Sequence, residues 1–184
     1  MRHGETDWNR LRLVQGHTNV ARLNDEGRAQ AREVAKTLRE LGFDQLVTSD
    51  LDRTTETAGL IGEAIGLTPT LDALLRERCF GTFEGGPLSN LTSDVTGIAD
   101  DVLVDPLAHP PRGESFRDVV ERARRFVEFA NETWPGRRVL AVTHGGMVHA
   151  MRAYVEQVEL EGLAWYRVGN CSVWALDDYT PSPN

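Results

Sequence analysis

RRVLAVTHGG, residues 137–146, is the stretch that indicates how this chain folds. Its apolar run Val139–Val142 predicts a buried strand, which a polar tip and a Gly-Gly turn bring to an end. The sequence MVHAMRAYVEQV that comes next predicts a helix. A strand that leads into a helix is the unit from which parallel α/β sheets are built. Ligands bind beyond the carboxyl ends of the strands in such sheets, and His144 lies at that end.

Helices and strands alternate in the same way upstream. LNDEGRAQAREVAKTLRELGF predicts a helix with one apolar face, which Asn24 or Asp25 can cap and Gly42 can end. DQLVTSD predicts a short strand with polar residues at its end. LDRTTETAGLIGEAIGL predicts a second helix, which ends at Gly66.

The rest of the chain completes the pattern around one irregular segment. The pattern from Ser115 to about Trp134 predicts a long helix that begins with a capping box between Ser115 and Asp118. The sequence NCSVWAL, residues 170–176, predicts a last strand. The stretch ahead of that helix is rich in Gly, Pro, Ser and Asp, so we expect a loop there with room for one short helix. The fold prediction is α/β, a three-layer α/β/α sandwich with a mostly parallel central sheet. We expect a single domain over 1–184, with a lid-like insert at about 86–111.

The composition excludes several classes of partner. The chain has 184 residues, a net charge of -8 and a pI of about 5.1, which argues against nucleic acid or an anionic membrane. Its two cysteines, Cys79 and Cys171, lack the number for a disulfide scaffold and the spacing for a zinc site, so we expect reduced thiols in the cytoplasm. No signal peptide and no membrane-spanning apolar run is present in the sequence as written.

Histidine and arginine recur at the predicted strand ends. MRHG, residues 1–4, is a His-Gly turn like the one at His144, although no strand precedes it in this sequence. A glycine after the histidine lets a ligand approach the backbone while the imidazole projects into the cleft. Arg2 and Arg53 add guanidinium groups, which match phosphate oxygens two at a time. Any one of these residues alone is more often structural, but His3, His144 and the two arginines together predict one pocket for a phosphate monoester.

Phosphate ester hydrolysis is very slow without catalysis and demands several positive donors and an acid for the leaving group. Glu77, in LLRERCFG, can supply that acid, although its position alone favours a surface glutamate. The sequence has no metal-binding motif, and His144 and His149 are spaced poorly for a shared metal. Nucleotide-binding loops and the G-x-S-x-G elbow of serine hydrolases are missing too.

The motifs also occur in the order typical of a known family. RHGETDWN, QGH, LNDEGRAQA, TSDLDRTTETA, LRERCFGTFEG, PRGES and VTHGGMVHAM follow one another along the chain. The sequence resembles the histidine phosphatase superfamily, the phosphoglycerate-mutase-like proteins, on its phosphatase side. The resemblance runs from Arg2 to about Ser172. An R-H-G-E-T-x-W-N opening joined to a later H-G-G is far more specific than any single short motif.

The resemblance implies roles for the residues that match. His3 matches the nucleophile that becomes phosphohistidine, and Glu77 matches the proton donor. The remaining members of the phosphate pocket match Arg2, Arg53 and His144. Groups that reach phosphate or substrate match Asn9, Gln15, Gly16 and, more weakly, the backbone N–H of Gly145. The chemistry of the family needs no metal or organic cofactor, so we expect none.

Two departures from the family pattern bear on these expectations. Family members carry a short apolar strand before R-H-G, in the middle of the sheet. We therefore expect a start upstream of Met1 or a truncated first strand, with a gap or an unusual partner beside 139–143. A family member whose first strand is supplied differently is the remaining alternative. The segment Gly86–Pro111 holds no Lys or Arg, whereas mutases hold bisphosphoglycerate with a basic insert.

The sequence therefore predicts a metal-independent phosphomonoesterase that acts on a small phosphorylated metabolite. Two alternatives stay open: a cofactor-dependent phosphoglycerate mutase, and an inactive family member that binds phosphorylated ligands. A homodimer is also left open, and the sequence does not name the substrate.

Overall fold

The computed structural model describes residues 1–176 of the chain. Its helices are α1 (Asp7–Arg10), α2 (Asp25–Leu41), α3 (Asp52–Ile65), α4 (Ser93–Thr96), α5 (Phe116–Thr133) and α6 (Gly145–Val155). Its strands are β1 (Gln45–Thr48), β2 (Thr70–Leu71), β3 (Ile98–Ala99), β4 (Val102–Leu103), β5 (Val139–Val142) and β6 (Leu163–Ala164). Short 3₁₀ turns lie at Ala73–Leu75, Gly81–Phe83 and Leu88–Asn90. None of the helices within 1–176 is both long and apolar enough to cross a membrane.

The central sheet is parallel, in the order β2-β1-β5. Gln45 stands opposite Val139 and Thr48 opposite Val142, so β1 and β5 end at the same level. Because both strands run in the same direction, the residues after them emerge at one edge of the sheet. Ser49 and His144 therefore meet there, as the α/β prediction requires.

Helices cover both faces of this sheet. Side chains on a strand alternate between the two faces, so Leu46 packs with α2 and α3 while Val47 packs with α5 and α6. Leu140 and Val142 join Leu46 on the first face. The result is the predicted three-layer arrangement, with one apolar core on each side of the sheet.

The long helices begin where their sequences predict. The Asn24 side chain accepts a hydrogen bond from Gly27 N at 2.8 Å and caps α2. At the start of α5, the Ser115 hydroxyl accepts from Asp118 N while the Asp118 carboxylate accepts from Ser115 N, which completes the capping box. One further cap was not predicted: Thr6 and Asn9 form a capping box at the start of the short α1.

The irregular segment holds more structure than its sequence indicates. Besides the short helix α4, strands β3 and β4 form a hairpin that β6 joins as a small antiparallel sheet. Asp100 and Asp101 turn the hairpin with φ values of 47° and 58°, which aspartate tolerates better than most residues. Strands of two residues are too short to show an alternating pattern, so the sequence did not predict them.

The prediction of a last strand at 170–176 is wrong. Cys171 has a φ of 55°, and Ser172 N donates to the carbonyl of Gly169, so the chain turns where an extended strand was expected. The turn contacts the first residues of the chain instead. Cys171 N donates to the carbonyls of Arg2 and His3, and Arg2 N donates to the Ser172 carbonyl.

Residues 1–3 lie on the side of β5 away from β1. Arg2 pairs in parallel with Thr143, His3 N donates to the Thr143 carbonyl at 2.9 Å, and Thr143 N donates to the Met1 carbonyl at 2.8 Å. Among residues 1–176, this short pairing is the only backbone partner of β5 on that side. It holds His3 next to His144, at the carboxyl edge of the sheet.

Candidate active site

His3 is buried, and its ring orientation is set by one hydrogen bond. Nδ1 lies 2.7 Å from the carbonyl oxygen of Gly4. A carbonyl only accepts, so Nδ1 carries the proton and Nε2 keeps its lone pair. Gly4 N donates to the Thr57 hydroxyl at 3.1 Å, which fastens the turn to α3. A Cβ at Gly4 would lie 2.5 Å from the carbonyl oxygen of Gly27, so the close approach of the turn to α2 requires glycine.

His144 stands beside His3, with ring centroids 5.3 Å apart and an interplanar angle of 63°. Its Nε2 lies 3.0 Å from the Ser49 hydroxyl. Ser49 Oγ already accepts a hydrogen bond from Leu51 N at 3.4 Å, so its own proton is available for the histidine. Nδ1 of His144 then carries the ring proton, and it is buried without a protein partner. His144 can thus donate one hydrogen bond to a ligand held beside His3.

Arg2 and Arg53 bring two guanidinium groups to the same place, and backbone carbonyls hold them. Arg2 Nη1 donates to the Val168 carbonyl at 2.5 Å. Arg53 donates to the carbonyls of Thr18 at 2.9 Å and Gly16 at 2.7 Å. The Nε atoms of both arginines are buried and unpartnered among the described residues.

The electrostatics of the pocket keep both histidines neutral. Burial lowers the pKa of His3 well below its usual value, and the charges of Arg2 and Arg53 lower it further. Burial also lowers the pKa of His144, aided by Arg53. Burial lowers the pKa of Arg53 to about 10, so the guanidinium stays charged at neutral pH. The pocket therefore joins a neutral imidazole with a free lone pair to fixed positive charge.

Glu77 lies at the start of α6, close to Arg2. Its Oε1 accepts from Arg78 N at 2.9 Å and from Gly146 N at 3.0 Å, while Oε2 lies 3.3 Å from Gly146 N. A Cβ built on Gly145 would lie 3.9 Å from Arg2 Nε and 4.0 Å from Glu77 Oε2. The structure thus brings Glu77, Arg2 and Gly145 around one small space. Gly146 needs to be glycine, because a Cβ there would lie 2.4 Å from Glu77 Oε1.

The remaining predicted residues occupy the loops around the pocket. Gly16 has a φ of 48°, and a Cβ there would lie 2.0 Å from Glu84 Oε1, so both conformation and space require glycine. Gln15 Oε1 is buried without a protein partner. The Asn9 side chain is oriented by its Oδ1, which accepts from Thr6 N at 3.1 Å and from Asn170 Nδ2 at 3.2 Å.

Several residues that shape the pocket were not assigned a role from the sequence. Ser49 was placed at a strand end, but its contact with His144 depends on the register of β1 against β5. Asn170 donates to the His3 carbonyl at 3.1 Å as well as to Asn9. His17 Nε2 donates to the Glu77 carbonyl at 2.7 Å. The motif QGH contained this last residue, yet its partner is 60 residues away along the chain.

Buried polar atoms without a partner are concentrated at this site. Five side-chain nitrogen or oxygen atoms of this kind occur among the described residues, and four belong to residues predicted for the site. They are Arg2 Nε, Gln15 Oε1, Arg53 Nε and His144 Nδ1. Leaving a buried polar group unpaired costs about 1–3 kcal/mol, so such a cluster indicates a ligand with several polar atoms. Within residues 1–176, no three His, Cys, Asp or Glu side chains group as a metal site would require.

Comparison with known proteins agrees with this geometry. The model of the histidine phosphatase superfamily (branch 1) matches residues 1–182. The chain belongs to the histidine phosphatase superfamily. Among curated members of this superfamily, a "probable phosphoglycerate mutase" of Cronobacter sakazakii is 33% identical over 184 residues, which are 100% of this chain and 85% of that protein.

Solved structures of the histidine phosphatase superfamily share the fold. One is a mycobacterial glucosyl-3-phosphoglycerate phosphatase complexed with VO3, with a TM-score of 0.78 and 32% identity, covering 86% of this chain and 81% of that one. The same phosphatase with inorganic phosphate has a TM-score of 0.74, also at 32% identity, covering 86% and 78% of the two chains. These solved relatives are phosphatases, whereas the curated sequence relative carries the name of a mutase.

The buried neutral histidines predict that acid weakens the fold. His3, His144 and His149 all have a pKa lowered by burial, that of His149 to about 4. A lowered folded-state pKa means that the unfolded chain binds protons first. The stability contribution is complete above about pH 6.5 and is lost as the pH falls from there. We expect the melting temperature to fall between about pH 7 and about pH 5, measured by calorimetry.

His149→Gln provides the matched test of this pH dependence. The glutamine can still donate to the Tyr166 carbonyl that His149 Nε2 contacts at 2.8 Å, but it does not titrate. The variant should therefore lose less stability on acidification than the wild type. An unchanged pH dependence in this variant would show that His149 does not contribute.

Proposed function

We propose that this protein is a metal-independent phosphomonoesterase that hydrolyses a small phosphorylated metabolite through a phosphohistidine on His3. The observation that supports this most is the cluster of buried, unpartnered polar atoms around the neutral His3 imidazole. A phosphoryl group has the charge and the oxygen atoms to pair with the arginine and His144 donors. His3 Nε2 keeps its lone pair next to them, because Nδ1–H is held by Gly4.

In the first half-reaction, His3 Nε2 attacks phosphorus and the bond to the ester oxygen breaks. Glu77 gives its proton to the leaving oxygen, so the alcohol departs neutral. In the second half-reaction, Glu77 takes a proton from water as the water attacks the phosphohistidine. Inorganic phosphate leaves, His3 returns to its neutral form, and Glu77 is protonated again. Splitting the reaction in this way replaces one difficult step by two easier ones.

The other residues supply charge and orientation in this proposal. Arg2, Arg53 and the Nδ1–H of His144 stabilise the negative charge on the equatorial oxygens of the transferring group. Gln15 contacts the phosphoryl group or its ester, and the backbone N–H of Gly145, at the start of α6, donates to it. Gly16 serves through its carbonyl, which holds Arg53 in place. Asn9 donates to the phosphoryl group or substrate through Nδ2, while Asn170 joins its Oδ1 to the His3 backbone.

A phosphoglycerate mutase is the second candidate, and the name of the curated relatives favours it. A mutase must retain a bisphosphorylated intermediate during turnover, which calls for cations over the leaving group. The segment Gly86–Pro111 contains no Lys or Arg. This composition favours release of the dephosphorylated product over its retention, so we rank the phosphatase first.

One set of assays separates these candidates. We expect phosphate release from p-nitrophenyl phosphate and from at least one member of a panel of phosphorylated metabolites. The rate should stay the same with a chelator and without added bisphosphoglycerate. Interconversion of phosphoglycerates that depends on bisphosphoglycerate and outpaces phosphate release would assign the protein as a mutase. Binding of phosphate esters with no turnover of any of them would assign it as a phospholigand-binding protein.

A further inference from the structure

Arg78 directly follows Glu77 and is almost completely buried, with 2% of its surface exposed. Its guanidinium donates to four backbone carbonyls, all of them between residues 95 and 114. They belong to Val95 at 3.2 Å and to Thr96, Ala108 and Glu114 at 2.8 Å each. The side chain of Arg78 therefore connects the backbone beside Glu77 with three separate places between residues 95 and 114.

Backbone carbonyls supply the hydrogen-bond acceptors for the Arg78 guanidinium. Among the described residues no carboxylate lies within ion-pair distance of it, and the charges of Glu77, Glu114 and Asp118 act on it from farther away. Burial lowers the pKa of Arg78 to about 10, and the group remains charged at neutral pH. An apolar side chain could fill the same space without that desolvation cost. A guanidinium adds several donors in a rigid, planar arrangement, which fixes orientation as well as distance.

The backbone of Arg78 contacts the Glu77 carboxylate. Arg78 N donates to Glu77 Oε1 at 2.9 Å, beside the bond from Gly146 N. The Glu77 carbonyl accepts from His17 Nε2 at 2.7 Å and from Arg122 Nη2 at 2.9 Å. The orientation of the carboxyl group thus depends on the peptide plane between residues 77 and 78. His17 and Arg122 hold the carbonyl end of this peptide group, and the anchored side chain of Arg78 holds its nitrogen end.

We propose that Arg78 is a positioning residue for the reaction: by tying its own backbone to residues 95–114, it fixes the Glu77 carboxyl group at the ester oxygen. The proposal rests on the proposed role of Glu77 as the acid. It also implies that a displacement of the 95–114 segment would be transmitted to Glu77.

The kinetic test compares two leaving groups in Arg78→Met and Arg78→Lys. The leaving group of β-glycerophosphate is a strongly basic glycerol alkoxide, which needs a proton from the acid. The leaving group of p-nitrophenyl phosphate is p-nitrophenolate, which needs little protonation. In Arg78→Met, we expect kcat/KM for β-glycerophosphate, which reports phosphoryl transfer to His3, to fall about tenfold to a hundredfold, part of the range typical of a general acid. For p-nitrophenyl phosphate, kcat/KM should change by less than about threefold. Lysine, which keeps the charge with fewer donors, should restore part of the loss.

Arg138→Met is the matched control, because Arg138 also donates to a backbone carbonyl, that of Leu41, but on the exposed far side of the sheet. It should slow neither ester. An equal loss of kcat/KM for both esters in Arg78→Met, or a loss of stability alone, would overturn the positioning role.

A second readout does not depend on the acid role of Glu77. The Gly146 amide lies in the first turn of α6, where no intrahelical acceptor exists, and Glu77 accepts its proton instead. Protection of this amide from hydrogen exchange therefore reports where the carboxyl group lies. In a folded Arg78 variant, methionine or lysine, we expect faster exchange at Gly146 with little change in the core of α6.

Unchanged protection of Gly146 in both variants would contradict the proposal. Glu77→Gln is measured beside them to keep the two ideas separate. If Glu77→Gln slows both esters equally while the Arg78 variants still expose Gly146, the acid assignment fails and the positioning contact stands. If Glu77→Gln separates the esters and the Arg78 variants do not, the acid role stands and the positioning role fails.

Discussion

His3→Ala is expected to abolish turnover of every phosphate ester and to eliminate the phosphoenzyme. Loss of a nucleophile from a comparable catalytic unit lowers kcat by about six orders of magnitude, so residual activity should lie near the assay background. The reason is geometric: burial and the Gly4 carbonyl leave His3 neutral with a free lone pair at Nε2, next to two guanidinium groups. Neighbouring His144 cannot substitute, because its Nε2 is occupied by Ser49.

The measurement is a rapid quench into alkaline denaturant after mixing with phosphorus-labelled substrate, with the reaction at neutral and at mildly alkaline pH. Wild-type protein should retain label that is stable to alkali and lost in acid, as expected for a phosphoimidazole. His109→Ala is the matched control, since His109 is exposed and its Nδ1 lies 3.3 Å from the carbonyl oxygen of the neighbouring Pro110. Turnover in His3→Ala within about tenfold of the wild-type rate would refute the covalent mechanism.

Glu77→Gln should give the second large effect, and it should depend on the leaving group. Glutamine keeps the size of the side chain and can still accept from Gly146 N, but it has no proton to give to an alkoxide. We expect kcat/KM for β-glycerophosphate, which reports the transfer of the phosphoryl group to His3, to fall by about two to three orders of magnitude, within the range of general acid catalysis. The fall in kcat/KM for p-nitrophenyl phosphate should be smaller than about tenfold, because nitrophenolate is a weak base.

Burst kinetics add an independent observation for the same variant. If Glu77 also activates the water, Glu77→Gln should release p-nitrophenol in a burst and then accumulate phosphoenzyme. Glu63→Gln, on the exposed side of α3, makes the same chemical change away from the pocket and should leave both rates unchanged. An equal loss of kcat/KM for the two esters would remove Glu77 from the acid role.

Local sequence patterns predicted most of the large elements. Apolar spacing and caps placed α2 and α5, and an apolar run followed by His-Gly-Gly placed β5 ahead of α6. These signals are strong because each of the helices buries one continuous face over three or more turns, and the strand is apolar over several consecutive residues. The hairpin at 98–103 and the turn around Cys171 carry no such signal, since their shape depends on neighbours far along the chain.

The sequence by itself also determined which residues gather at one edge of the sheet. Parallel strands end at a common edge, so the sequence placed His144 and Ser49 at that edge, and the His-Gly motif placed His3 with them. Tertiary structure alone decided the chemical state of those residues. The neutrality of His3 follows from burial and from two guanidinium groups, one of them 50 positions away on α3. The proton position on His144 follows from a hydroxyl 95 residues away, and the Arg78 contacts span 17 to 36 residues. Burial and long-range hydrogen bonds set protonation and orientation, and neither is a property of a residue's own neighbours in sequence.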